Sequence, residues 1–228
     1  MSAPVSVIIP TLNVADRIGP CLGALAEALT AGLLREVVLS DGGSTDDIAG
    51  VADAVGARLI RGARGRGAQL ARGAEVARGQ WYLFIHADTV LGPGWVEAVQ
   101  RHIARTPDHA GWFRLRFDDP SAAARTVAGW ANLRSGAFGL PYGDQALLTP
   151  ARLYRHVGGH PPIPLMEDVA LARRLKGRLR PLGADAVTSA ERYAREGWLR
   201  RGGRNLSTLA LWRLGVSPEK LAERYERR

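Results

Sequence analysis

Short β-branched and aliphatic runs alternate with helical stripes along the first half of the chain. Val5-Ser6-Val7-Ile8-Ile9-Pro10 is a β-branched run closed by proline, the pattern of a strand buried on both faces of a parallel sheet. Ile18, Cys21, Leu22, Leu25 and Leu29 then recur at i, i+3, i+4, i+7 and i+11, which predicts an amphipathic helix with Cys21 inside as a small hydrophobe. Residues 36–40 predict a second strand. The turn Asp41-Gly42-Gly43-Ser44-Thr45-Asp46-Asp47 leads from it into a helix capped by Ser44, with Ile48, Val51, Ala52 and Val55 inward. A third short strand is expected at 58–60 and a glycine–arginine loop at 62–67, followed by a helix ending near Arg78. The most apolar strand, 81–85, empties into His86-Ala87-Asp88-Thr89.

In the second half, Phe113, Leu115 and Phe117 alternate with Arg114 and Arg116, the period-two pattern of a half-exposed strand. A helix is centred on Val127 and Trp130, and residues 135–143, with three glycines and a proline, read as a flexible loop suited to ligand contact. Thr149-Pro150 predicts a helix start, with threonine as cap, and Gly158-Gly159 its end. The rigid link His160-Pro161-Pro162-Ile163-Pro164 delivers Met166-Glu167-Asp168 to the head of a helix with Val169, Ala172 and Leu175 inward. From Arg192 to Arg213 arginines interleave with Trp198, Leu199, Leu206, Leu209 and Trp212, and Ser217-Pro218 caps a final helix. The alternation indicates an α/β fold, a mainly parallel mixed sheet flanked by helices, with a helical C-terminal appendage. No repeat or long linker divides it.

With 228 residues, 46% of them hydrophobic, the chain can bury a full core without staples. Its one cysteine excludes an intramolecular disulfide and a thiolate zinc site. No signal peptide is visible, and no apolar stretch approaches the roughly 20 residues that span a bilayer, so a cytoplasmic protein is expected. A net charge of +9 favours anionic partners. Arginine carries nearly all of it, since only Lys176 and Lys220 are lysines, and that bias can equally reflect genome composition.

In open α/β sheets, ligands settle beyond the carboxyl ends of the strands. Residues there are Pro10-Thr11-Leu12-Asn13, Asp41-Gly42-Gly43-Ser44, His86-Ala87-Asp88 and, later, Glu167-Asp168, and the distant acids Asp41, Asp88 and Asp168 are expected to converge at one edge. Neither G-x-G-x-x-G after the first strand nor a P-loop is present, which argues against hydride transfer and P-loop phosphoryl transfer. No G-x-S-x-G elbow occurs, and the His156–His160 pair lacks the glutamate of a metalloprotease helix. Asp88 at the end of a buried strand and a carboxylate pair heading a helix suit a sugar nucleotide. Asp88 would hold a divalent metal that offsets diphosphate charge, and Asp168 would deprotonate an acceptor hydroxyl. Taken singly, the plain reading of each is a turn or cap residue. A nucleotidyltransferase, or a non-catalytic basic protein binding lipid or nucleic acid on a transferase scaffold, would share these features.

At these residues the sequence resembles the family 2 glycosyltransferases, which adopt the GT-A fold and mostly invert anomeric configuration. The likeness covers most of the chain: residues 5–13 resemble the family's first strand, 41–46 its D-[DG]-G-S-T-D turn, His86-Ala87-Asp88 its D-x-D metal motif and Glu167-Asp168 its E-D motif. Gly65-Arg66-Gly67-Ala68-Gln69, 83–89, Pro141-Tyr142-Gly143-Asp144-Gln145, 164–168 and 215–218 further resemble a bacterial subgroup, the radical-SAM/selenodomain-associated or arsenosugar-biosynthesis-type transferases. The resemblance implies a GT-A domain over 1–190 with 191–228 as its helical extension. It implies a nucleotide pocket of Pro10, Thr11, Asn13 and Asp41, Mg or Mn at Asp88, and Asp168 as base. Arg64, Arg66 and Gln69 would reach diphosphate or sugar, and Asp144, Gln145 and Glu167 the acceptor or donor sugar. Gly42 stands where much of the family has a second aspartate, and His86 replaces the first acid of D-x-D, where an imidazole can still ligate metal or donate to phosphate. The Q-x-x-R-W signature of processive members is missing, so single sugar addition is expected. The implied partners are a nucleoside-diphosphate sugar and a small-molecule or lipid-linked acceptor, without nucleic acid. The arginine–tryptophan segment 192–212 would either pack on its own domain or lie on the anionic inner membrane face.

Overall fold

The computed structural model describes residues 3–226. Strand β1 (Val5–Thr11) runs through the middle of the parallel part, with Val5, Val7, Ile8 and Ile9 at most 1% exposed. Burying each such side chain contributes about 1.5–3 kcal/mol, which is why this run cannot lie at an edge. Helices α1 (Gly19–Ala24) and α2 (Ala26–Thr30) follow, then β2 (Leu34–Asp41), α3 (Ile48–Ala54), β3 (Arg58–Arg61), α4 (Arg66–Val76) and β4 (Trp81–Phe84). β1 pairs in parallel with both β2 and β4, and β2 with β3.

After β5 (Thr89–Leu91) and α5 (Trp95–Arg105) come β6 (Ala110–Phe117), α6 (Ala122–Phe138), a 3-10 turn at Gly143–Gln145, β7 (Leu147–Pro150) and α7 (Ala151–His156). Then follow α8 (Glu167–Arg174), β8 (Leu179–Thr188), α9 (Glu191–Glu196), α10 (Trp198–Arg213) and α11 (Pro218–Glu226). The strands form one mixed sheet in the order β3-β2-β1-β4-β7-β6-β8-β5, with β7 antiparallel to β4 and β6, and β5 antiparallel to β8. Alternate residues of β1 feed opposite layers. Val7 and Ile9 join Ile18, Cys21, Leu25, Ile48, Trp95 and Val99 on one face. Ile8 joins Leu70, Tyr82, Phe84, Tyr154, Val169 and Leu221 of α11 on the other. A third cluster packs α6 on the outer half of β6, through Leu115, Phe117, Ala124, Ala128 and Tyr193.

The α/β alternation, the period-two strand at Phe113–Phe117 and the helix headed by Glu167 stand as expected, with Val169, Ala172 and Leu175 buried. Several local expectations do not. Leu29 and Val55 are exposed, because the expected first helix breaks at Leu25 into α1 and α2, which leaves Leu29 of α2 facing solvent, and because α3 ends at Ala54. The cap of α3 is Asp47, whose carboxylate accepts from Gly50 N at 3.0 Å, while Ser44 is drawn off to Asp41 and Asn13. Residues 135–138 belong to α6, which Ser121 caps at the start and Gly139, left-handed at φ 62°, ends. Thr149 and Pro150 close strand β7 instead of opening a helix, and α7 begins at Ala151. Pro150 can end a strand because its missing N–H is not needed there. Strand β8 was hidden by Pro181 and Gly183; Gly183, at φ 81°, lies where the β6–β8 register shifts.

Helix α4 approaches β1 so closely that a Cβ on Gly73 would lie 2.5 Å from Ile8 Cγ2. Gly73→Ala is expected to destabilise by about 1–3 kcal/mol in urea denaturation, from overpacking. Gly203→Ala on α10, where a Cβ meets nothing within 4 Å, should instead stabilise by up to about 1 kcal/mol. Equal effects of the two changes would contradict the packing of α4 on β1.

Candidate functional site

The carboxyl ends of β1 and β2 are cross-braced. Thr11 Oγ1 and Ser44 Oγ donate to Asp41 Oδ1 at 3.2 and 2.5 Å, and Gly43 N and Ser44 N donate to Oδ2 at 3.1 and 3.0 Å. Burial alone would raise the Asp41 pKa, but these hydrogen bonds, from Ser44 first, hold it below the ordinary carboxylate value. Asn13, at φ 50°, accepts from Thr45 N and donates its own N–H to Ser44 Oγ. Gln69 spans the same two strand ends, donating to Thr11 O and Ser40 O at 2.8 Å each. A Cβ at Gly42 would lie 3.0 Å from the Gln69 amide, so the glycine and the glutamine are a matched pair.

Next to this brace, at the end of β4, the turn at His86 is closed by Thr89 N donating to His86 O, which leaves Asp88 exposed. Opposite it, Met166 takes a left-handed conformation, φ 68°, and opens α8 with Glu167 and Asp168 in its first turn. Gly143 N and Val169 N donate to Asp168 Oδ2 and Oδ1, both at 2.7 Å, and fix its orientation. A Cβ on Gly143 would meet His86 Nε2 at 2.5 Å, so any side chain there would push the imidazole out of place.

Glu167 lies behind Asp168, 1% exposed, and is held by Arg66 Nε at 2.6 Å. Burial outweighs the arginine's attraction and lifts the Glu167 pKa to about 7. Asp144 is lifted to about 6, by burial first, against the attraction of Arg134 and with repulsion from Asp168 and Asp88 added. Burial and then Arg66 push His86 down to about 4, so its ring is neutral at pH 7 and can take the Arg66 Nη1 hydrogen bond, 3.4 Å, on Nε2.

A cavity of about 170 Å³ unites Arg66, His86, Asp88, Asp144 and Asp168. Asp144 takes the place that the sequence reading gave to Asp41, because the 3-10 turn carries it across the sheet edge to Asp168. Thr11, Asn13, Asp41 and Gln69 lie outside this cavity, in the brace; Pro10 is the last residue but one of β1, paired with Ser40, and Arg64 is exposed. Gln145 has no exposed surface. Its amide takes Ser135 Oγ, Arg134 and Tyr142 N and donates to Phe113 O and Asn132, so it pins the 140–146 segment from beneath. Sequence reasoning missed the cavity's far wall, Tyr193, Arg201, Asn205, Thr208 and Tyr225 on the C-terminal helices, and Tyr142, whose ring carries Arg134 at 3.4 Å. No local signal marks the residues of the far wall, since helices bring them there from the end of the chain, whereas Tyr142 lies in the 135–143 stretch whose glycines and proline pointed to ligand contact.

Among the described residues, no three His, Cys, Asp or Glu side chains gather to hold a cation by themselves. The donor set suits instead a hard divalent ion shared with a diphosphate. Asp88 offers an exposed carboxylate, and Asp144 Oδ1 is buried in the same cavity without a hydrogen-bond partner.

A sheet of this order, with carboxylates gathered beyond the ends of its parallel strands, is a GT-A-type nucleotide-sugar transferase fold. Residues 6–148, more than half of the chain, match the model of Glycosyl transferase family 2, and the chain belongs to that family. A PGL/p-HBAD biosynthesis glycosyltransferase of Mycobacterium bovis is 43% identical over 105 residues, 40% of this chain and 38% of that protein, so the match spans well under half of this curated relative. S. aureus TarS superposes with a TM-score of 0.66 at 16% identity, over 90% of this chain and 39% of that one. Glucosyl-3-phosphoglycerate synthase from Mycobacterium tuberculosis, in complex with Mn2+, UDP and glucosyl-3-phosphoglycerate, superposes with a TM-score of 0.57 at 19% identity, over 82% and 70%. At such identities the structural likeness speaks for the fold alone.

The raised Glu167 pKa has a testable sign. Folded and unfolded Glu167 are both protonated below about pH 4.5; above it the unfolded chain ionises first, so stability is lost until the pH passes the folded value of about 7. Glu167→Gln should therefore gain in melting temperature over the parent as pH rises from about 4.5 to 7. A difference that stays flat across that window would refute the burial argument.

Proposed function

We propose that the chain is an inverting, metal-dependent, non-processive glycosyltransferase that moves one sugar from a nucleoside-diphosphate donor to an acceptor hydroxyl. The observation that carries this reading is the meeting of Asp88 and Asp168 in one cavity, with Asp168 oriented by two backbone N–H groups. Support comes from TarS 1–349, which was solved in complex with UDP-GlcNAc, and from the synthase solved with Mn2+ and UDP.

In this reading Asp168 is the base. An acceptor hydroxyl within hydrogen-bond reach of its carboxylate loses its proton as the oxygen attacks the anomeric carbon from the face opposite the diphosphate, so configuration inverts and no covalent enzyme adduct forms. Asp88, with Asp144 beside it, would hold Mg or Mn, which when bound offsets charge on the departing diphosphate. Arg66 adds a fixed positive charge at the same wall and His86 a neutral polar one. Pro10, Thr11, Asn13 and Asp41 would support the nucleoside through the braced turn, and Gln69 would keep that brace rigid. Glu167 would act from behind, by anchoring Arg66. We assign 191–228 to the same domain as 1–190, because its helices complete the cavity and Leu221 enters the core. Among the described residues, no helix is long and apolar enough to cross a membrane.

Incubation with a panel of sugar nucleotides and Mn should release nucleoside diphosphate, whereas pyrophosphate as the product would mark a nucleotidyltransferase. Asp168→Asn is expected to lower kcat by about 10²–10⁴-fold with donor affinity retained. Asp88→Ala should weaken donor binding only when the metal is present. A fully active Asp168→Asn enzyme would remove Asp168 from the role of base.

A further inference from the structure

Among the described residues, eight large apolar side chains are exposed, and six of them lie on α6, on α10 or on Leu214 that ends α10. Trp130, Leu133 and Phe138 of α6 are 47%, 58% and 59% exposed. Thr126, Trp130, Leu133 and Ala137 follow one another at helical spacing, with Gly129 and Gly136 alongside, all facing solvent. Between Arg125 and Asp144 the only charged residue is Arg134, which turns inward to Leu140 O and Gln145. The outer face of α6 is thus uncharged over about three turns. A solvated helix ordinarily carries its charges on that side.

Helix α10 packs beside α6, with Trp198 against the cluster that buries Ala124 and Ala128. It presents exposed Leu199 and Leu206 together with exposed Arg200 and Arg213. Neither helix contains an aspartate or a glutamate. On the adjoining α9, Glu196 is engaged with Arg201 and Arg204, and Glu191 faces Arg17, while Arg192 and Arg195 are exposed. The tryptophans that suggested a lipid face in the sequence are not part of it. Trp198 stacks on Tyr193, and Trp212 packs toward the core under Arg173.

An apolar helix face bordered by arginines and free of acids suits one kind of partner. A second copy of this chain would bring arginines against arginines, and a nucleic acid has no use for exposed Trp, Leu and Phe in a helical stripe. We propose that the α6–α10 side is a peripheral docking surface for an anionic lipid membrane, the apolar side chains entering the headgroup–acyl boundary and the arginines meeting lipid phosphates. Through Gly139, α6 runs into residues 140–143, whose Gly143 N–H holds Asp168, so the docked face lies one loop from the cavity.

The test is co-sedimentation of the full chain with vesicles of phosphatidylcholine alone and of phosphatidylcholine mixed with phosphatidylglycerol. The chain should pellet with the mixed vesicles, and less so as salt is raised. The triple variant Trp130→Ser, Leu133→Ser, Phe138→Ser should lower partitioning roughly tenfold or more, with an unchanged melting temperature. Arg200→Glu with Arg213→Glu should lower it on the mixed vesicles. The proposal is overturned if the parent pellets with neither vesicle, or if the triple variant pellets like the parent. It is equally overturned by a lipid-free dimer that the triple variant dissolves, which would give the face to a second copy. None of these readouts involves sugar transfer, so their failure leaves the transfer reading standing.

Discussion

The site depends on how closely the start of α4 meets the strap that leads into α8. A Cβ on Gly67 would stand 2.3 Å from Pro161 O and 3.1 Å from Glu167 Cβ, so only glycine allows the approach. At that distance Arg66 reaches Glu167 at 2.6 Å, and the pair ties two helices from different thirds of the chain into one wall. The tie sets the first turn of α8, and with it Asp168. Glu167 is nearly inaccessible whereas Arg66 is partly exposed. Losing the arginine would therefore leave a buried carboxyl uncompensated, a larger penalty than losing an exposed pair.

Electrostatics then separates the acids of the cavity by environment. Asp41 is satisfied by four donors and serves as the keystone of a turn. Asp144 faces two other carboxylates from a buried position, and its proton affinity rises accordingly. Asp168 combines access to the cavity with fixed orientation, which is the combination a base requires. His86, neutral beside Arg66, adds no negative charge to this wall, so a metal held there would lean more on a diphosphate than on the protein.

The C-terminal helices complete this arrangement. Tyr193, Arg201, Asn205 and Tyr225 wall the cavity, and Arg201 is itself held by Glu196 and by the Tyr225 hydroxyl. One surface of these helices thus faces the cavity while the other, with α6, is apolar and basic. The chain's positive charge is not spread evenly, and its bare face and its acidic cavity are joined by the short segment 139–146.

Local pattern alone determined the early strands, the order of the motifs after them and the residues that head α8. β-branched runs between glycine turns allow one buried parallel arrangement, and an acid after a buried strand must emerge at its carboxyl end. Strands β5, β7 and β8 were not legible, because their short length, Pro150 and the Pro181–Gly183 interruption weaken the period-two signal that their partners restore by pairing. Only the tertiary structure decided which acids share a cavity. Asp41 and Asp144 both adjoin turn glycines, Gly42 and Gly143, yet hydrogen bonds across the strand ends retain the first while the packed Gln145 delivers the second. Burial, approach distance and the far wall drawn from the chain's last helices are relations between distant segments, and no local run of residues encodes them.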